Sequence, residues 1–189
     1  MDNCIDITAE NAHLYQDKCI ELYQRCFKEP PYNEDWPYNT VLEIWKLHRD
    51  SGHIVTYQID DKLVGFIYGY RAGLKINDDI DQMMKEVTTA DISLDFDLND
   101  TMYISELAVM KEHRRKGIAR ALADHLFKIS KTNAMTHYLL RSDLNNSQSA
   151  PLFIKYYNGK QLDIVTGNDL SEISVNSASE EKGHWYGPL

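Results

Sequence analysis

The chemistry-bearing residues of this chain concentrate between Tyr103 and Leu122. An apolar run, Tyr103-Ile104-Ser105-Glu106-Leu107-Ala108-Val109, carries a single carboxylate, Glu106, and leads into the basic turn His113-Arg114-Arg115-Lys116 ahead of Gly117. Thr101–Met110 has strand character, and Ile118–Lys131 has helical spacing, with Ile118, Leu122 and Ile129 on one face. A strand, a basic turn and a helix that opens at a glycine together make an anion cradle. The first amides of a helix lack intrahelical partners, and the helix dipole adds partial positive charge there. Gly117 and Ala119 carry almost no side chain, so a diphosphate can approach the main chain closely.

Arg114-Arg115-Lys116-Gly117-Ile118-Ala119 matches R/Q-x-x-G-x-G/A, the pyrophosphate motif of the GNAT superfamily of N-acetyltransferases, and the chain resembles that family. Glu106-Leu107-Ala108-Val109 looks like the family's fourth strand, and Arg120-Ala121-Leu122 continues its third helix. The resemblance is specific over about residues 103–126 and looser elsewhere. It implies an α/β fold with a mixed, mostly antiparallel central sheet flanked by helices, acetyl-CoA as co-substrate and no metal. It also implies that main-chain groups of Leu107, Ala108 and Val109 pair with the pantetheine arm. The amides of Arg115, Lys116, Gly117, Ile118 and Ala119 would hold the pyrophosphate, with Arg114 and Arg120 beside them. The N–H of Val109 would stabilise the oxyanion formed when an amine attacks the thioester.

A second family feature spaces Asn, a small residue and Tyr along a later helix. Asn146-Ser147-Gln148-Ser149-Ala150-Pro151-Leu152-Phe153 reproduces the spacing and implies a cofactor contact at Asn146, but Phe153 stands where the family has tyrosine. That tyrosine often protonates the departing thiolate. Tyr156, one helical turn on, is a substitute, against a plain packing role. For the general base Glu106 is favoured, directly or through water, because it lies on the strand along which the thioester would run. If Leu107 and Val109 face one way, alternation puts Glu106 on the other face, and a bulge can re-aim it. An edge carboxylate in solvent is the competing reading.

The elements that must position these groups follow from periodicity. Cys4–Thr8 reads as a short strand. Ala9–Lys28 reads as a helix with Tyr15, Cys19, Leu22 and Cys26 on one stripe, stopped by Pro30-Pro31. Thr40-Val41-Leu42-Glu43 has the form of a capping box opening a helix that runs to about Asp50. His53–Ile59 and Lys62–Tyr70, joined by Asp60-Asp61, form a hairpin. A helix is predicted around Asp79–Val87, a strand at His137–Arg141, a short helix at Ser149–Tyr157, and weaker strands at Gln161–Val165 and Ile173–Val175. No repeat or linker interrupts the 189 residues, so one domain over 1–189 is expected.

Composition narrows the function. A net charge of −9 disfavours nucleic acid as a partner, and no apolar run is long enough to span a membrane. Cys4, Cys19 and Cys26 form no C-x-x-C pair, the start lacks a secretory pattern, and a cytoplasmic location with reduced thiols is expected. Residues 74–100 hold eight acids against two lysines, either a solvated surface or an acidic lip that attracts a cationic amine through residues such as Asp95 and Asp97. Tyr32, Glu34 and Trp36 after the Pro-Pro turn are candidates for the opposite lip, or packing residues. Asp95-Phe96-Asp97-Leu98-Asn99 resembles a calcium loop, but Asp100 takes the place of the required glycine. No histidine pattern suits zinc.

The expected activity is direct acetyl transfer to a cationic small molecule such as a polyamine or aminoglycoside. The alternatives are acetylation of a protein lysine or N-terminus, and a non-catalytic CoA-binding sensor. Homodimers are common among proteins of this kind.

Overall fold

A computed structural model describes residues 3–30, 32–74, 95–143, 149–166 and 182–189. Among them seven strands and four α-helices follow the order β1 Cys4–Ile7, α1 Ala12–Lys28, α2 Tyr38–Ser51, β2 Gly52–Ile59, β3 Lys62–Arg71, β4 Thr101–Val109, α3 Ile118–Thr132, β5 His137–Asp143, α4 Ala150–Tyr157, β6 Lys160–Thr166 and β7 Lys182–Pro188. The strands are ordered β1-β2-β3-β4-β5-β7-β6. The β1–β2, β2–β3, β5–β7 and β6–β7 pairs are antiparallel, while β4 and β5 run parallel over Thr101–Ile104 and His137–Leu140. This is the mixed, mostly antiparallel α/β sheet expected from the sequence.

The chain divides into two compact units, Met1–Tyr70 with Ser105–Ile129, and Arg71–Ile104 with Ser130–Leu189. In the first unit, α1 buries Cys19, Leu22, Tyr23 and Cys26, and α2 buries Val41, Trp45 and His48. Their spacings of three and four residues place each set on one helix face. Strand β3 is buried from Leu63 to Tyr70, and its alternation presents Phe66, Tyr68 and Tyr70 to the helices. Tyr23 lies with its ring centroid 5.6 Å from Phe66 and 6.4 Å from Tyr68, and His48 lies 5.1 Å from Tyr68 and 5.8 Å from Tyr70. The other face of β3 meets the end of β4 and the start of α3. A Cβ built on Gly65 would lie 3.1 Å from the Ala108 carbonyl oxygen, 3.2 Å from Val109 and 3.3 Å from Ile118. The hairpin turns through Asp60 and Asp61, both with positive φ, as two-residue turns whose twist matches the strands require.

In the second unit, Tyr138 and Phe153 are fully buried with ring centroids 5.4 Å apart, and the Tyr138 hydroxyl donates to the Tyr157 carbonyl at 3.1 Å. Phe96 stacks on His137 and Tyr186. Asp97 caps a short 3-10 turn at Leu98–Asp100 by accepting from the Asn99 amide at 2.8 Å.

Two expectations are corrected. The second helix begins at Tyr38, with Pro37 as its N-cap and no side-chain cap. Proline has no N–H to leave unpaired, so it opens the helix two residues before Thr40 and the capping box is not used. The first helix begins at Ala12 rather than Ala9, because the Thr8 carbonyl accepts from Asn11 and Ala12 in a preceding turn. The closing strand β7 has no counterpart in the sequence reading. The helix expected around Asp79–Val87, the strand at Ile173–Val175 and the site residue Asn146 lie outside the described residues.

Gly187 is closely packed in the second unit, since a Cβ there would lie 2.8 Å from the buried Tyr138 ring and hydroxyl. Gly187→Ala is expected to cost about 1–3 kcal/mol through overpacking. Urea unfolding should show a lower midpoint at unchanged slope; an unshifted midpoint would contradict this packing.

Candidate active site

The basic turn is built from two left-handed residues. After β4 ends at Val109, the Met110 amide donates to the Val64 carbonyl at 2.9 Å and a 3-10 turn spans Lys111–His113. Arg115 has φ of +63° and Gly117 of +82°, and the Ala121 amide donates to the Gly117 carbonyl at 3.0 Å as α3 begins. Successive amides in such a turn converge outward as an anion-binding nest. Among the described residues no backbone carbonyl accepts from the amides of Arg115, Lys116, Gly117, Ile118 and Ala119. A Cβ on Gly117 would meet nothing within 4 Å, so positive φ rather than crowding calls for glycine there. Such a set of outward main-chain donors suits a diphosphate.

The side chains around it divide. Arg115 and Lys116 are exposed, and the Lys116 ammonium donates to the Glu112 carbonyl at 2.9 Å. Arg120 pairs with Asp124 at 3.6 Å. Arg114 turns inward: its Nε donates to the Val109 carbonyl at 2.8 Å, and its Nη2 meets Glu29 Oε2 at 3.1 Å. A second ion pair, Arg25 to Glu112 at 2.7 Å, ties α1 to the same turn. Arg114 is thus a brace that sets the turn against the end of α1.

Glu106 reaches the helical layer of the first unit. Its Oε1 accepts from the Tyr23 hydroxyl at 3.2 Å. Burial pushes its carboxyl up to about 8, a rise that the Tyr23 hydrogen bond opposes and the nearby Glu34 charge reinforces. Glu34 Oε2 accepts from Trp36 Nε1 at 2.8 Å, and the Trp36 carbonyl accepts from Gln24 at 2.7 Å. The Trp36 ring stands edge-on to Tyr23 at 6.3 Å, and Tyr32 packs on Phe27 at 5.0 Å. The structure therefore gathers Glu106, Glu34 and Trp36 around Tyr23, with Tyr32 packed against Phe27 of the same helix.

Ser105 also points into this layer. His48 Nδ1 lies 2.7 Å from the Ile44 carbonyl and Nε2 lies 2.7 Å from Ser105 Oγ. A carbonyl only accepts, so Nδ1 carries the proton, Nε2 is an acceptor and the Ser105 hydroxyl donates to it. Burial holds His48 down at about 4, in agreement with that neutral tautomer.

Of the other predicted residues, Tyr156 is exposed on α4 with the Lys155 ammonium 5.0 Å from its ring, while Phe153 is fully buried. Asp95 is exposed, and Asp97 serves the 3-10 turn. The sequence reading missed Tyr23 and His48. Both sit on apolar helix stripes, where a polar side chain at spacings such as Val41, Trp45 and His48 is the signal that was available.

The family model for the acetyltransferase (GNAT) family matches residues 16–157. This chain belongs to that family and is an acetyltransferase of the GNAT class. No curated protein matches the sequence. Among solved structures it is similar to Ard1 from Thermoplasma volcanium, with TM-score 0.65, 16% identity and 99% of this chain and 98% of that one covered. The ribosomal-protein-S18-alanine N-acetyltransferase from Escherichia coli gives TM-score 0.63 and 13% identity over 98% of this chain and 94% of that one. The PaiA N-acetyltransferase from Thermoplasma acidophilum, in complex with coenzyme A, gives 0.54 and 16% over 96% and 97%. At these identities the likeness is one of fold.

Two groups shifted by desolvation make stability depend on pH in opposite senses. Glu106, raised from 4.5 to about 8 on folding, contributes stability that is complete below its unfolded value and lost as pH rises through about 8. His48, lowered from 6.5 to about 4, contributes stability that is complete above 6.5 and lost on acidification towards 4. In denaturation curves taken across pH, Glu106→Gln should flatten the fall in stability between about pH 4.5 and 8, and His48→Gln the loss on acidification from 6.5 towards 4. A variant that keeps the parent slope would refute the corresponding assignment.

Proposed function

We propose that this chain transfers acetyl directly from acetyl-CoA to the amine of a cationic small molecule, with Glu106 as the base. The observation that carries this reading is the desolvated Glu106 carboxyl, held by Tyr23 on the strand that leads into the free-amide turn. The amides of Arg115 to Ala119 take the pyrophosphate, and beyond the β4–β5 register the backbone of Leu107 to Val109 runs along the pantetheine arm. The amine, with a pKa near 10 in solution, gives up a proton to Glu106 and attacks the thioester carbonyl. The oxyanion forms opposite the Val109 N–H. The C–S bond then breaks, acetyl stays on nitrogen, and the coenzyme A thiolate takes a proton, with Tyr156 as its donor. A base with pKa near 8 is matched to work at neutral pH, being ionised in part and strong enough to accept.

Glu34 and Trp36, placed beside Tyr23, offer an acid and an aromatic face to a cationic acceptor. The activity is assigned to one domain over residues 1–189, acting in the cytoplasm as a monomer or homodimer, and no helix among the described residues is long and apolar enough to cross a membrane.

Release of coenzyme A thiol from acetyl-CoA tests this with spermidine, kanamycin and short peptides ending in alanine or carrying lysine. Turnover with the small amines is expected. Turnover with peptides alone would transfer the acceptor role to protein amines. A melting temperature raised by acetyl-CoA without turnover would mark a sensor, and no shift at all would remove the reading. Glu106→Gln should lower kcat on the order of 10²–10⁴-fold and abolish the ionisation near pH 8; an unchanged pH–rate profile would discard Glu106 as the base.

A further inference from the structure

Counted by alternation from Val109, which faces Gly65 and the start of α3, Glu106 falls on the opposite face of β4, where Tyr23 meets it. The strand fixes that side but not the carboxyl, because the last torsion of a glutamate is broad and roughly two-fold. A half-buried carboxylate that is to meet an amine therefore needs a partner to set its plane. The titratable groups of the layer it enters are Tyr23, Cys19 and Cys26 on α1, Glu34 after it, Tyr68 on β3 and His48 on α2. Among the described residues, Tyr23 alone gives the carboxylate a hydrogen bond. His48 is engaged by Ile44 and Ser105, Glu34 accepts from Trp36, and the Tyr68 hydroxyl is buried without a hydrogen-bond partner.

Tyr23 is a fixed donor. It is 2% exposed, and its ring packs on Phe27 at 4.4 Å, on Phe66 at 5.6 Å and on the edge-on Trp36 at 6.3 Å. A ring so packed holds its hydroxyl oxygen at one point, 3.2 Å from Glu106 Oε1. Oε2 makes no hydrogen bond among the described residues. We propose that Tyr23 is the positioning residue of the base: its hydroxyl holds Oε1 and so presents Oε2 to the acceptor amine. The bond also favours the charged carboxylate, so its loss leaves less of the base ionised at neutral pH. Because the same ring seats Trp36, removing the hydroxyl alone leaves the acid-aromatic pair in place. The inference rests on the reading of Glu106 as the base.

The test removes that one oxygen. In ¹³C NMR titration of glutamate-labelled protein, with Glu106→Gln identifying the resonance, the parent carboxyl should titrate near 8. In Tyr23→Phe it should titrate higher, since a bond to the charged form is lost. With acetyl-CoA and spermidine (or the peptide, should peptides alone turn over), kcat at neutral pH should fall on the order of 10–100-fold. The deficit should narrow as pH rises past about 8, and the KM values of both substrates should stay close to the parent. If Tyr23→Phe fails to fold, 3-fluorotyrosine installed at Tyr23 decides: a stronger donor of nearly parental shape should bring the titration below that of the parent. Parent-like titration of Glu106 in the folded variant would overturn the positioning role while leaving the base intact, and so would a shifted titration with parental kcat. A parent Glu106 that titrates in the ordinary range would overturn the base assignment and this inference together.

Discussion

The first unit is organised around a half-buried carboxylate flanked by aromatic rings. Placing Glu106 among Tyr23, Tyr68 and the helices above them penalises its charged form, and one hydrogen bond from Tyr23 offsets only part of that penalty. A group in that position is stable as an acid and reactive as a base, which is the poise that deprotonation of an amine needs. The aromatic layer from Phe66 to Tyr70, the buried stripe of α1 and the rigid seat of His48 on α2 all maintain that setting. Thr56, Thr101 and Ser130 are buried, but as neutral hydroxyls they carry no comparable penalty.

The phosphate-side turn has its own bracing. Its donors are main-chain amides, which have no rotamers to adjust, so their direction depends on the backbone alone. Arg114 fixes that backbone twice, to Val109 at the end of β4 and to Glu29 at the end of α1, and Arg25 with Glu112 adds a third link. Glu29 also begins the segment that carries Glu34 and Trp36, whose own anchors are the Phe27 carbonyl and Gln24. The brace thus joins the segment bearing the acid-aromatic pair to the turn bearing the free amides.

What could be read from the sequence was what is local. The turn from Arg114 to Ala119, the strand before it and the helix after it are encoded by neighbours a few residues apart, and the hairpin through Asp60-Asp61 by turn chemistry that any sheet would use. Glu106 was identifiable by its isolation in an apolar run. Its partner was not, because Tyr23 lies far away in the chain. Tyr23 and His48 were hidden by the same circumstance: on an apolar stripe a polar side chain reads as core until its partner is known. The T-x-x-E pattern at Thr40 misled because Pro37 had already started the helix. The strand β7 escaped because Gly183, Gly187 and Pro188 interrupt the alternation that marks a strand.

Turning Arg114 away from the cradle has an electrostatic consequence. A protein of net charge −9 repels a polyanion at long range, while the main-chain amides of the turn are uncharged and act only on contact, with the exposed Arg115 and Lys116 beside them. Dissolved electrolyte screens the first effect within about a Debye length, roughly 10 Å at 0.1 M, and leaves the second almost untouched. Ionic strength therefore acts on two opposed charge effects, the repulsion from the whole chain and the attraction of the exposed Arg115 and Lys116, and spares the contact made by the amides.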